Sequence, residues 1–125
     1  MDNGEAFVKA DGNGAEDIEK MFSPPGFFTV RLDGGKLSGK EELLSALAAG
    51  LRFPAYFGHN WDALLDCLRS LPEFLRAAGY AVIIERSGRL LADSPDEMKA
   101  FRGAVNDAAA FLRDEYGLEL RIIML

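Results

Sequence analysis

The chain has 125 residues, 49% of them hydrophobic, enough for one respectable core and too few for two full domains. Its 14 Lys and Arg against 20 Asp and Glu give a net charge of -6. That excludes the basic footprint needed for direct nucleic-acid binding and suits a basic protein partner.

The start, Met1-Asp2-Asn3-Gly4-Glu5, lacks the charged and apolar segments of a signal peptide, and no apolar stretch is long enough to span a bilayer. The expectation is a cytoplasmic protein without membrane contact. Residues 1 to 26 are rich in Gly and acids and close with Ser23-Pro24-Pro25-Gly26, so they are read as an N-terminal extension, partly ordered at best. A short strand at Ala6 to Lys9 and a helical turn around Glu16 to Phe22 are predicted within it. Asp11-Gly12-Asn13-Gly14 begins like a calcium loop, but Ala15, Glu16 and Phe22 occupy positions that need a ligand, a glycine and a bidentate Glu. A plain turn is predicted there.

Phe27 to Leu32 reads as a strand ending at the turn Asp33-Gly34-Gly35. Ser38 with Glu41 predicts a capping box, Leu43, Leu44, Leu47 and Ala48 a helical stripe, and Gly50 its stop. A helix of about Trp61 to Ser70 comes next, capped by Asn60, then a short helix from Pro72 through Ala78. Tyr80 to Glu85 is a nearly continuous apolar run that suits a strand covered on both faces. Ser94-Pro95-Asp96-Glu97 carries the cap, proline and capping-box Glu of a helix start, and Met98, Phe101, Val105, Ala108 and Leu112 carry its apolar face to Gly117. Leu118 to Leu125 closes the chain as a third strand. Helices between strands force crossover connections, so the predicted fold is α/β, a small three-stranded parallel sheet packed with helices.

The most informative local feature is the pair Asp62 and Asp66. At about 100° per residue they leave one side of the helix together, while Leu64, Cys67, Leu68 and Leu71 gather on the other. Like charges at this spacing destabilise an isolated helix by a few tenths of a kcal/mol. Asp62 lies in the first turn, where negative charge complements the macrodipole. Asp66 lies too deep for that, and Arg69 at i+3 is its candidate surface partner. Cys67, the only cysteine, sits on the apolar side and reads as a small buried hydrophobe.

Three other chemistries have partial motifs in the chain. Gly34-Gly35-Lys36-Leu37-Ser38-Gly39-Lys40-Glu41 matches most of a phosphate-binding loop, but Glu41 stands where Ser or Thr should hold magnesium. His59, Asp62 and Asp66 have a spacing that keeps ligands near one helical face, but His59 precedes the cap and no second cluster of ligands is visible. Two carboxylates on one exposed helix, with no evident sugar cleft, do not make an acid and base pair. No cofactor or metal is expected.

The run Tyr56-Phe57-Gly58, Asn60-Trp61-Asp62-Ala63-Leu64 and Asp66-Cys67-Leu68, with Phe53-Pro54 upstream, resembles the signature segment of the barstar family of intracellular inhibitors of microbial ribonucleases. The element order agrees with that fold, and the resemblance spans about residues 27 to 125. It implies a barstar-like domain over 27–125 that is not an enzyme and that plugs the active site of a basic, extracellular-type ribonuclease inside the producing cell, an immunity role. It further implies that Asp66 is the central anchor facing a cationic cluster, that Asp62 is its neighbour, and that Tyr56, Gly58 and Asn60 shape the loop contact. Trp61 and Leu65, on the margin of the apolar stripe, are candidates for desolvating contacts or for core packing. His59 departs from the acidic residue often found after the glycine, and its protonation would repel a basic partner. The family's acid on the last long helix has no aligned equivalent, Asp107 and Asp114 only bracketing the region. Two other readings keep different predictions: the same fold acting as an immunity or regulatory module on a non-ribonuclease partner, and a metal- or nucleotide-dependent enzyme stabilised by its ligand.

Overall fold

Four strands pair in parallel in the computed structural model, which describes residues 5–10, 19–20 and 24–125. The strands are β1 (Phe7–Lys9), β2 (Phe27–Asp33), β3 (Gly79–Glu85) and β4 (Glu119–Met124), in the spatial order β1-β4-β3-β2. The helices described over their whole length are α1 (Lys40–Gly50), α2 (Trp61–Arg69), α3 (Leu71–Phe74) and α4 (Met98–Tyr116). The α/β class and the parallel sheet match expectation, but the sheet has four strands rather than three.

The fourth strand comes from the N-terminal extension. Phe7 is in register with Ile122, the Ile122 amide donates to the Ala6 carbonyl at 2.9 Å, and the Ala10 amide donates to the Met124 carbonyl at 3.0 Å. The Asn106 side chain adds a 2.7 Å hydrogen bond from the Ala6 amide. The edge of β4 that three strands would leave bare therefore has its backbone groups paired. Glu19 and Lys20 are helical, and the rest of the turn expected around Glu16 to Phe22 lies outside the described residues, as does the turn at Asp11 to Gly14.

Strand β3 is central, and every residue from Tyr80 to Ile84 has 0% exposure. Tyr80, Val82 and Ile84 join the main core with the apolar faces of α1, α2 and α4, while Ala81 and Ile83 form a smaller cluster with Ile123 on the other face. The buried Tyr80 hydroxyl donates to the Leu75 carbonyl at 2.6 Å. That bond and the pairing of the Ala78 amide with the Gly26 carbonyl draw residues 75–78 into an extended approach to β3. Hence α3 stops at Phe74 instead of running through Ala78.

Two predicted capping boxes do not form. The Leu37 and Ser38 carbonyls accept from the Leu91 and Asp93 amides, both at 2.9 Å, which holds Ser38 outside the helix. The cap of α1 shifts to Gly39, and no side chain bonds there. The second expected start is a 3₁₀ turn, Pro95–Glu97, in which Ser94 makes no side-chain cap bond, and α4 begins only at Met98. Glu97 has a different partner, described below. Gly117 stops α4 in the left-handed region at φ 67°, as expected. Among the described residues no helix is long and apolar enough to cross a membrane.

Gly34 to Lys36, within the stretch that resembles a phosphate-binding loop, form a 3₁₀ turn. A Cβ on Gly34 would stand 2.5 Å from the Arg86 carbonyl oxygen and 2.9 Å from that of Glu85, and the Glu42 carboxylate closes in on Gly39 at the start of α1. Beside the turn, the Arg86 guanidinium holds the Asp33 carboxylate with two hydrogen bonds, one of them Nε to Oδ1 at 2.9 Å. The Arg86 bond and then the Gly35 amide lower the Asp33 pKa.

Gly34→Ala is expected to destabilise the fold by about 1–3 kcal/mol in urea unfolding, since the obstacle is backbone. Gly35→Ala, which meets only side-chain atoms, should cost less. Because the folded pKa of Asp33 lies below its unfolded value, its stabilisation is present above the ordinary aspartate pKa and is lost as pH falls through the folded one. Asp33→Asn should therefore be less stable than wild type at neutral pH, with the difference shrinking below about pH 4. A constant difference down to low pH would remove the pair from the account of stability.

Candidate functional site

The loop from Leu51 to Asn60 is held from beneath. Phe57 is 8% exposed, its ring meets Phe53 edge-on at 5.0 Å, and Phe53 meets Phe74 at 6.3 Å. The Phe53 amide donates to the Ala48 carbonyl and the Phe57 amide to the Pro54 carbonyl. With Phe57 turned inward, its neighbour Tyr56 is driven outward and is 82% exposed. Two non-glycine residues in the left-handed region, Arg52 at φ 58° and His59 at φ 50°, bracket the loop. Such conformations are uncommon outside turns and need support from their surroundings. His59 has it: the ring packs on Phe57 at 4.8 Å, and Nδ1 lies 3.3 Å from the Glu41 carboxylate.

Asn60 ends the loop and starts α2. Its side-chain oxygen accepts from the Ala63 amide at 2.7 Å, and its Nδ2 donates to the Gly58 carbonyl at 3.2 Å, so one side chain fixes both helix and loop. Downstream, Leu64, Cys67 and Leu68 are buried against the main core, and Asp62 and Asp66 are exposed on the opposite side. Neither acid has an ion-pair partner among the described residues. Arg69 does not pair with Asp66. Its guanidinium lies over the Phe111 ring at 4.3 Å instead. Burial first, then the Asp66 charge, raises the Cys67 pKa, so the thiol stays protonated near neutral pH and is a poor nucleophile.

Trp61 and Leu65 are half-buried and pack against the core. The Trp61 indole donates to Glu97 Oε1 at 2.7 Å and lies 6.0 Å from Phe101, while the Lys40 ammonium sits over its ring at 5.5 Å. Trp61 thus ties the start of α2 to the start of α4, which explains why Glu97 does not cap its own helix. His59 faces Glu41, and no three His, Cys, Asp or Glu side chains among the described residues come together as a metal-holding group.

Tyr56 and Asp66 line one cleft of about 470 Å³ with Arg69, Ser70, Glu73, Phe111 and Tyr116. Glu73, Phe111 and Tyr116 carry no local motif that marks them in the sequence. The only sequence signal is that Phe111 and Tyr116 fall near the end of a helix whose apolar stripe runs elsewhere.

Trp61→Phe keeps an aromatic ring but leaves the Glu97 carboxylate without its donor. It is expected to lower stability by about 1.5–3 kcal/mol, the usual range for a hydrogen bond to a charged group, as measured by thermal or urea unfolding. Unchanged stability would mean that the indole bond does not hold α2 to α4.

No curated protein matches the chain. A family model described as Barstar (barnase inhibitor) matches residues 27–124, which hold strands β2 to β4, the loop and helices α1 to α4. The inward Leu64, Cys67 and Leu68, the Asn60 cap and the outward acids all lie within that match, and the chain belongs to the barstar family of barnase inhibitors.

Proposed function

We propose that this protein is a stoichiometric, non-enzymatic inhibitor that occludes the active site of a basic microbial ribonuclease. The observation that carries the reading is the pair Asp62 and Asp66, exposed one turn apart on a packed helix and without ion-pair partners among the described residues. A ribonuclease binds the RNA backbone with cations, and two fixed carboxylates offer those cations a substitute for phosphate. Asp66 is the anchor, Asp62 its neighbour, and Tyr56, Gly58 and Asn60 present the loop beside them.

The net charge of -6 supports fast, salt-sensitive encounter with a basic partner. The helix is held before binding, so little ordering cost falls on these carboxylates when they dock. Trp61 and Leu65 act mainly from below, holding the helix, while Glu41 beside His59 offsets any positive charge that the imidazole acquires. The site belongs inside the cell that makes the ribonuclease, where the enzyme has to be kept inactive before export.

Titration against basic microbial ribonucleases, read as loss of RNA cleavage, tests the proposal. Asp66→Ala should weaken binding by about 2–5 kcal/mol, a range drawn in part from barnase and barstar themselves. Most of it reflects cations left buried and unpaired in the enzyme. Asp62→Ala should cost less, and raising ionic strength should slow association of wild type more than of the double variant. Equal inhibition by wild type and Asp66→Ala would exclude Asp66 as the anchor.

A further inference from the structure

We infer that strand β1 braces the acidic helix α2, and that Phe7 is a positioning residue for Asp62 and Asp66. Its bearing on partner binding rests on the inhibitor reading above, whereas the brace itself does not. The family match begins at residue 27, so β1 is carried by this chain outside the matched domain. If β1 only covered the edge of β4, its backbone would suffice. Its side chains do more. The Glu5 carboxylate lies 3.9 Å from the Arg102 guanidinium, which sits over the Phe7 ring at 4.4 Å, and the Ala6 amide donates to the Asn106 side chain at 2.7 Å. The Phe7 ring meets that of Phe101 edge to face at 5.4 Å. Glu5, Ala6 and Phe7 thus grip the first half of α4, the helix against which α2 packs.

Phe101 is the link. It has 0% exposure, and its ring also lies 6.0 Å from that of Trp61, the residue immediately before Asp62. Phe7, Phe101 and Trp61 therefore form one train of rings from the N-terminal strand to the start of the acidic helix. Interiors are close-packed and transmit strain, so removing the first ring lets the second relax toward the space left behind. Trp61 then loses a fixed neighbour, and the acids that follow it lose part of what sets their positions. Charge-assisted hydrogen bonds to a partner depend on that geometry. Val8 separates a brace from an edge cover. It belongs to the same strand and is also half-buried, but it packs on the opposite face of the sheet with Ala81, Ile83 and Ile123, away from Phe101.

Two readouts test this on the full chain, well below its unfolding temperature. Trp61 is the only tryptophan, so its fluorescence emission reports the start of α2 directly. The second readout is the kinetics of binding to a basic microbial ribonuclease. Phe7→Ala should move the emission to longer wavelength and raise the dissociation rate by roughly two- to tenfold, the span of one aromatic pair. No charge changes, so the association rate and its salt dependence should stay as in wild type. Val8→Ala should alter neither readout, and Phe7→Tyr, which keeps the ring, should match wild type in both. If Phe7→Ala fails to fold, Phe7→Leu keeps apolar bulk on the strand and should change both readouts in the same direction by less. Equal effects of Phe7→Ala and Val8→Ala, or an unchanged emission in the Phe7 variants, would overturn the brace, while Asp66→Ala decides the inhibitor reading separately. A shifted emission with unchanged dissociation would remove Phe7 as a positioning residue for the acids. If wild type binds no ribonuclease but the emission follows Phe7 and not Val8, the brace stands and the inhibitor reading falls.

Discussion

The burial of one face of α2 is the constraint on which the candidate surface depends. A nine-residue helix is too short to be stable alone in water, and two like charges one turn apart weaken it further. It persists because Leu64, Cys67 and Leu68 leave water against α4 and the sheet, each leucine contributing about 1.5–3 kcal/mol by area. Once that face is inward, helical geometry leaves no choice for Asp62 and Asp66. The acids are thus held in place by residues buried on the opposite face.

Two contacts with α4 fix the helix at its ends. Trp61, its first residue, donates to Glu97 at the start of α4, and Arg69, its last, stacks on Phe111 further along the same helix. The two helices therefore run side by side in the same direction. Asn60 then joins the helix to a loop whose Phe57 is buried and whose left-handed Arg52 and His59 set the turns. Tyr56 from the loop and Asp62 and Asp66 from the helix are thus exposed on elements tied to one another, and the cost is local strain that a packed core can sustain.

Much of this surface was legible in the residues. The apolar stripe of α2, its Asn60 cap and the outward acids all follow from helical periodicity and capping chemistry. The continuous apolar run at Tyr80 to Ile84 announced a strand covered on both faces, and Gly117 announced the stop of α4. The errors cluster where a polar side chain had two competing partners. Glu97 looked like a capping residue and instead serves Trp61, and Arg69 looked like a partner for Asp66 and instead covers Phe111. Ser38 looked like a cap, but the loop at Leu91 to Asp93 claims the backbone there.

Local pattern therefore settles which residues face inward, because burial of apolar area acts on every turn of a helix and every second residue of a strand in the same way. It also settles that the acids are exposed and that the chain carries excess negative charge. Only the tertiary structure decides that Phe7 pairs with Ile122 to add a fourth strand, and that Tyr56, Glu73 and Tyr116 meet around Asp66. Those arrangements join segments far apart in the chain through one backbone ladder and one shared cleft. No repeat or spacing encodes them, since each depends on how segments distant in sequence pack together.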